Sequence, residues 1–148
     1  MSSSSAPNMT LPRLDNLVTA GKLKLEPPAR AEIEGLIRSG SARIQDAEVT
    51  TLSLASRFDL AYNAAHALSL AALRFHGYRA DNRYIVFQVL QDTLQLPPAQ
   101  WRVLDQAHIR RNRAEYEGDE DLEETFVASV IRVVREIEKR VLALDLPA

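Results

Sequence analysis

The run Arg110-Arg111-Asn112-Arg113-Ala114-Glu115-Tyr116 holds the side chains best suited to chemistry in this chain. At about 100° per residue from Trp101, residues Leu104, Ala107, His108 and Arg111 fall on one broad helical stripe. A guanidinium on a stripe that otherwise reads as core requires a partner, because an unpaired buried charge is not tolerated. A second helix supplies candidates. Asp59, Asn63 and His66 are spaced i, i+4 and i+7, so they project within roughly 60° of one another, with Tyr62 at their border. If that strip faces the Trp101 helix, Asp59 is the natural counter-ion of Arg111, and Asn63 and His66 satisfy remaining donors. If it faces solvent, it is simply the wet side of an alanine-rich helix, which is where Asp and Asn ordinarily lie. Both readings stand on the sequence.

Such residues suit binding of an anionic ligand, and would suit proton transfer only if a histidine took part. His108 and His66 are the candidate acids or bases, against the commoner role of a satisfied core histidine. Tyr116, with an ordinary pKa of about 10, is a poor base at neutral pH but can donate a hydrogen bond or stack on a base. The acidic run from Glu115 to Glu124 reads as a solvated helix start that partly cancels the attraction of Arg110, Arg111 and Arg113 for phosphate. It lacks the ligand spacing of a calcium loop. No phosphate-cradling glycine loop, serine elbow or metal-spaced histidine pair occurs, so neither a metal nor a cofactor is expected.

Composition narrows the classes further. The 148 residues, 46% of them hydrophobic, suffice for one well-buried domain. The absence of cysteine excludes disulfides, thiolate catalysis and iron–sulfur clusters and fits a cytoplasmic setting. A net charge of −2 argues against broad electrostatic capture of nucleic acid, while leaving room for a local basic patch. No apolar run approaches the roughly 18 residues of a membrane helix, and residues 1–9, rich in serine, read as a disordered tail without signal-peptide character.

The elements that must position these side chains are helices, since no sustained alternating stretch points to a sheet. The expected fold is all-α, an up-and-down bundle of four main helices with additional N-terminal helices over residues 10–48. A short first helix ends near Gly21, with Lys22 and Lys24 where a helix C-terminus favours cations. Pro27-Pro28 opens a second, in which Gly40 shares the apolar face with Ile33, Ile37 and Ile44 and permits either close backbone approach or a break. The third runs from about Ser53 to Phe75, capped by Thr51 or Ser53 and stopped by Gly77. Arg83 to Leu96 forms a fourth, Pro97-Pro98 begins a fifth that reaches the arginines, and the last carries Phe126, Val130, Val133, Ile137, Val141 and Leu144 on its core stripe.

The segment RFDLAYNAAHALSLAALRFHGYR, followed after another helix and a Trp-bearing helix by IRRNRAEYEG, resembles the HEPN superfamily, the higher eukaryotes and prokaryotes nucleotide-binding domains. The resemblance spans about Leu52 to Leu144, and LDNLVTAGKLK is similar to leading helices of a bacterial subset. It implies a helical bundle that commonly forms a homodimer. Many members are metal-independent RNases of toxin–antitoxin or antiphage systems; others accompany a nucleotidyltransferase or an antitoxin, or bind RNA or nucleotides. The family hallmark is an arginine, often followed by a polar residue, then four to six residues to a histidine. Arg111 and Asn112 match its first two members, whereas Tyr116, Glu117 and Gly118 stand where the histidine belongs. The resemblance therefore implies a ligand site at Arg111, Asn112 and Tyr116, supported by Asp59, Asn63 and His66, with cleavage weak or absent. The competing expectation is a helical protein–protein interaction module in which the polar cluster only fixes helix register.

Overall fold

A computed structural model describes the backbone of residues 11–117 and 122–148, and the side chains of all of these except 114–117. The expected tail and the side chain of Tyr116 lie outside the described residues. The fold is an all-α bundle. In order, the elements are α1 (Pro12–Thr19), β1 (Lys24–Leu25), α2 (Arg30–Ala47), α3 (Leu54–Phe75), β2 (Tyr78–Arg79), α4 (Arg83–Gln88), α5 (Leu90–Leu94), α6 (Pro98–Glu117) and α7 (Glu124–Leu142).

The central rod is α3. Ser53 caps it, its Oγ accepting from the Ser56 N–H at 3.1 Å, and the chain leaves it through Gly77 at a φ of +90°, a left-handed conformation that favours glycine. Ala61, Ala64, Ala65, Ala67, Ala71 and Ala72 are all buried, so neighbours approach its backbone from several sides. Helices α2 and α7 pack along it, with α6 and α4 covering the remaining face. The approach of α2 is closest at Gly40, where a Cβ would lie 2.5 Å from Leu68 Cγ and 3.3 Å from the Ala64 carbonyl. Of the two roles open to that glycine, close approach is the one realised, and α2 continues through it unbroken.

Two expectations need correction. The segment Arg83 to Leu96 is not one helix: Asn82 caps α4, Val89 interrupts the chain, and α5 ends at Gln95 in the left-handed region. Val86 and Val89 serve a small apolar cluster with Leu14, Leu23, Leu73 and Tyr78, while Phe87, Leu90, Leu94 and Leu96 join the main core. One short stretch thus feeds two cores, and the long second helix α2 acts as a main rod of the bundle in its place. The second correction is a small antiparallel ribbon, in which Lys24 pairs with Arg79 and Leu25 with Tyr78. Two-residue strands are too short to show alternation in a sequence. Helix α1 closes with Gly21 N–H bonding the Val18 carbonyl and Lys22 N–H that of Leu17, so Lys24 belongs to the ribbon rather than to a helix end.

The ribbon sits beside a buried charge network. The Arg74 side chain is 1% exposed; its Nε donates to Glu32 at 2.9 Å, its Nη1 to the carbonyls of Glu26 at 2.9 Å and Tyr78 at 3.2 Å, and its Nη2 to that of Pro27 at 2.7 Å. Arg79 bridges Glu26 and Glu32 at 2.8 and 2.7 Å. Hydrogen bonding from Arg79 holds the Glu26 carboxyl below its usual range. Burial opposes ionisation of Glu32, and the two arginines outweigh it, so that carboxyl is lowered as well. Nearby, burial and a hydrogen bond to Asp15 push the Tyr78 hydroxyl up to about 12. This network clamps the chain segments before α2 and after α3 onto the end of α3.

Candidate functional site

The polar strip of α3 faces α4 and α6. Arg111 Nη1 lies 3.0 Å from Asp59 Oδ1, an ion-pair separation without the alignment of a hydrogen bond. The Arg111 side chain is 30% exposed and that of Asp59 56%, so the pair is at the surface and screened. The same guanidinium stands over the ring of Tyr62, 4.9 Å from its centroid, and that of Arg83 approaches the ring at 6.0 Å. Two cations therefore converge on one largely buried aromatic ring.

Asn63 ties this group to α4. Its Nδ2 donates back to the Asp59 carbonyl at 2.9 Å and its Oδ1 accepts from Arg83 Nη1 at 3.3 Å. Such i−4 bonding suits a polar side chain inside a helix. His66 meets the edge of Phe87 at 6.4 Å between ring centroids. Burial, aided by the positive charge of Arg83, lowers its pKa to about 4, so it is neutral at pH 7.

His108 is the hub of the aromatic part. Its ring stacks on Tyr84 at 5.0 Å and on Tyr62 at 6.2 Å, with tilts of 23° and 22°. Its Nδ1 is 2.9 Å from the Tyr62 hydroxyl and its Nε2 is 3.2 Å from Asn112 Nδ2. With the Asn112 amide donating to Nε2, the proton of a neutral ring sits on Nδ1 and is directed at the Tyr62 oxygen. Burial lowers the pKa of His108 and Arg83 adds to the effect, against an opposing pull from Asp105. The hydroxyl of Tyr84 is raised chiefly by its hydrogen bond to Asp105, with burial adding to it.

Asp59, Asn63, His66, Arg111, Asn112 and His108 are thus brought into one neighbourhood, bridged by Tyr62. Arg110, by contrast, turns to α7, its guanidinium 4.2 Å from the centroid of the Phe126 ring and 3.8 Å from Glu123. The sequence reading missed Arg83 and Tyr84, which lie in a segment that reads as apolar filler; the Asn82 cap, which starts a short helix immediately before them, was the available signal. Among the described residues no group of three or more acidic, histidine or cysteine side chains has the grouping of a metal site. No described helix is long and apolar enough to cross a membrane.

Comparison of the chain with known protein families, curated proteins and solved structures returned no match. The functional reading therefore rests on the geometry of these side chains.

Proposed function

We propose that the chain binds single-stranded RNA through Arg111 and Arg83, and does not cleave it. The observation that carries this reading is the pair of guanidiniums held at one tyrosine ring, with only an exposed carboxylate and an amide as polar partners among the described residues. A phosphate can replace Asp59 at Arg111, because a bidentate guanidinium–phosphate pair is stronger than a misaligned surface ion pair. Asn112, exposed one turn beyond His108, adds an amide that can meet a base or a ribose hydroxyl. Arg111, Asn112 and Asp59 are among the positions that the HEPN resemblance implies, and Arg83 is an addition to them.

Binding without cleavage follows from His108. Cleavage of RNA without a metal needs one group to take the proton of the ribose 2′-hydroxyl and another to protonate the leaving oxygen. Both nitrogens of His108 are engaged inside the protein, and His66 turns its ring to Phe87. His108 therefore offers no free nitrogen to a phosphodiester, and His66, neutral at pH 7, cannot supply the acid.

The test is fluorescence anisotropy with a short single-stranded RNA across a salt series. Each phosphate neutralised contributes about −0.7 to the slope of log affinity against log salt, so Arg111→Ala and Arg83→Ala should each flatten it by roughly that amount. Equal binding by wild type and both folded variants would remove the arginines from the site. RNA cut by the wild type and spared by His108→Ala would overturn the non-catalytic assignment. Absence of RNA binding, with capture of a protein partner through the same residues, would favour the interaction-module alternative.

A further inference from the structure

A cavity system lies between α1, the ribbon and α4, with Tyr84 in its wall. It consists of two adjoining lobes of about 230 and 280 Å3 that share Lys22, Asn82 and Ile85 in their walls. The lobes differ in chemistry. The first is the more polar, with Lys22, Lys24, Arg79, Asp81 and Asn82 around it; the second has an apolar floor of Leu17, Ile85 and Val89 against Tyr84, with Arg13 at its wall.

Charge in the polar lobe is partly spoken for. Lys24 faces Asp81 at 3.5 Å and Arg79 is held by Glu26 and Glu32. Lys22 is exposed and has no carboxylate within 4 Å among the described residues, so the surplus positive charge is its own. Asn82 uses its Oδ1 to accept from the backbone N–H groups of Tyr84 at 2.7 Å and Ile85 at 3.4 Å. That fixes the amide with its Nδ2 free to donate. Tyr84 is held too, its ring stacked on that of His108 at 5.0 Å between centroids. A ring immobilised in this way is a ready platform for a flat ligand, since its rotamer entropy is already lost.

We propose that this trough binds a nucleoside monophosphate, its base over the apolar floor beside Tyr84 and its phosphate between Lys22 and the Asn82 amide. An anion and a flat ring must be joined in one small molecule to use both lobes, and the volumes suit a ligand of that size. The site is separate from the Arg111 group and shares only Tyr84 with it, through the stack on His108.

Calorimetric titration of the full chain with adenosine 5′-monophosphate and uridine 5′-monophosphate tests the assignment, with adenosine and inorganic phosphate as controls. At least one nucleotide should bind about tenfold or more tightly than either control, because each control fills a single lobe. Lys22→Glu, an exposed substitution that leaves the fold intact, should weaken it about tenfold or more by reversing the charge at the phosphate. Arg111→Ala should leave nucleotide affinity unchanged, and the His108 ring resonances should shift on binding. Binding no tighter than that of both controls, or indifferent to Lys22→Glu, overturns the trough site. Loss of nucleotide binding in Arg111→Ala would also overturn it, by assigning the ligand to the other site, whereas failure of RNA binding alone leaves this inference standing.

Discussion

Arg74 and Arg111 are both arginines on helix faces that pack against other helices, and they have opposite surroundings. Arg74 is enclosed, with every one of its nitrogens donating to a carboxylate or a carbonyl. Arg111 is part-exposed, with one misaligned carboxylate and one aromatic ring among the described residues. The first pattern leaves nothing for a ligand and fastens the chain segments that flank α2 and α3. The second leaves donor capacity at the surface. Saturation, rather than the mere presence of a cation on a core stripe, separates a structural arginine from one that can recruit an anion.

The largest break in that comparison should come from Arg74→Met. It leaves Glu32 without its buried partner and three carbonyls short of a donor, and losing one member of a buried pair costs about 3–5 kcal/mol. Urea denaturation followed by circular dichroism should show that loss; a change below about 1 kcal/mol would mean that the network is as dispensable as a surface pair. Next is Gly40→Ala on the same α2–α3 seam. The added methyl meets Leu68 Cγ at 2.5 Å, and overpacking of that kind costs about 1–3 kcal/mol.

Arg111→Ala should cost less than about 1 kcal/mol of stability, as expected for a part-exposed pair, while abolishing most RNA affinity. Asp59→Asn sharpens the point in the other direction. It removes the carboxylate that competes with phosphate, so RNA should bind several-fold more tightly, and a weaker complex in anisotropy would show that Asp59 positions the arginine instead of blocking it.

The smallest effect is on pH dependence. His66, His76 and His108 all have lowered values in the folded chain, chiefly through burial. The unfolded chain takes up protons first, so the stability due to neutral histidines is complete above the ordinary value of about 6.5. For His66 it is lost progressively as pH falls from there to about 4. Melting temperature should therefore decline between about pH 6.5 and 5, before the paired carboxylates titrate. A flat profile over that interval would contradict the burial of these rings. Proton resonances of His66 should titrate with a midpoint at about pH 4.

Much of the scaffold is legible in the residues. Ser53 and Gly77 mark the ends of α3 because capping and left-handed exit are local chemistry. Two helical spacings single out Asp59 as the counter-ion of Arg111 if the strip faces that helix, but that it does so is decided only by the packing of α3 against α6. Arg74 was invisible for the opposite reason. Three of its partners are backbone carbonyls brought in by the ribbon and the turn before α2, and no periodicity encodes a loop carbonyl. Arg83 and Tyr84 escaped notice because their role depends on α4 lying between α3 and α6, which the split at Val89 allows.

Local propensity and apolar spacing were enough to determined that this chain is helical, where its longest rod begins and ends, and which two helices carry the polar strip and its arginine, because these depend on neighbours within a turn or two. Only the tertiary structure decided which arginine is sealed and which is left open to solvent, since solvation of a guanidinium is set by segments that arrive from elsewhere in the chain.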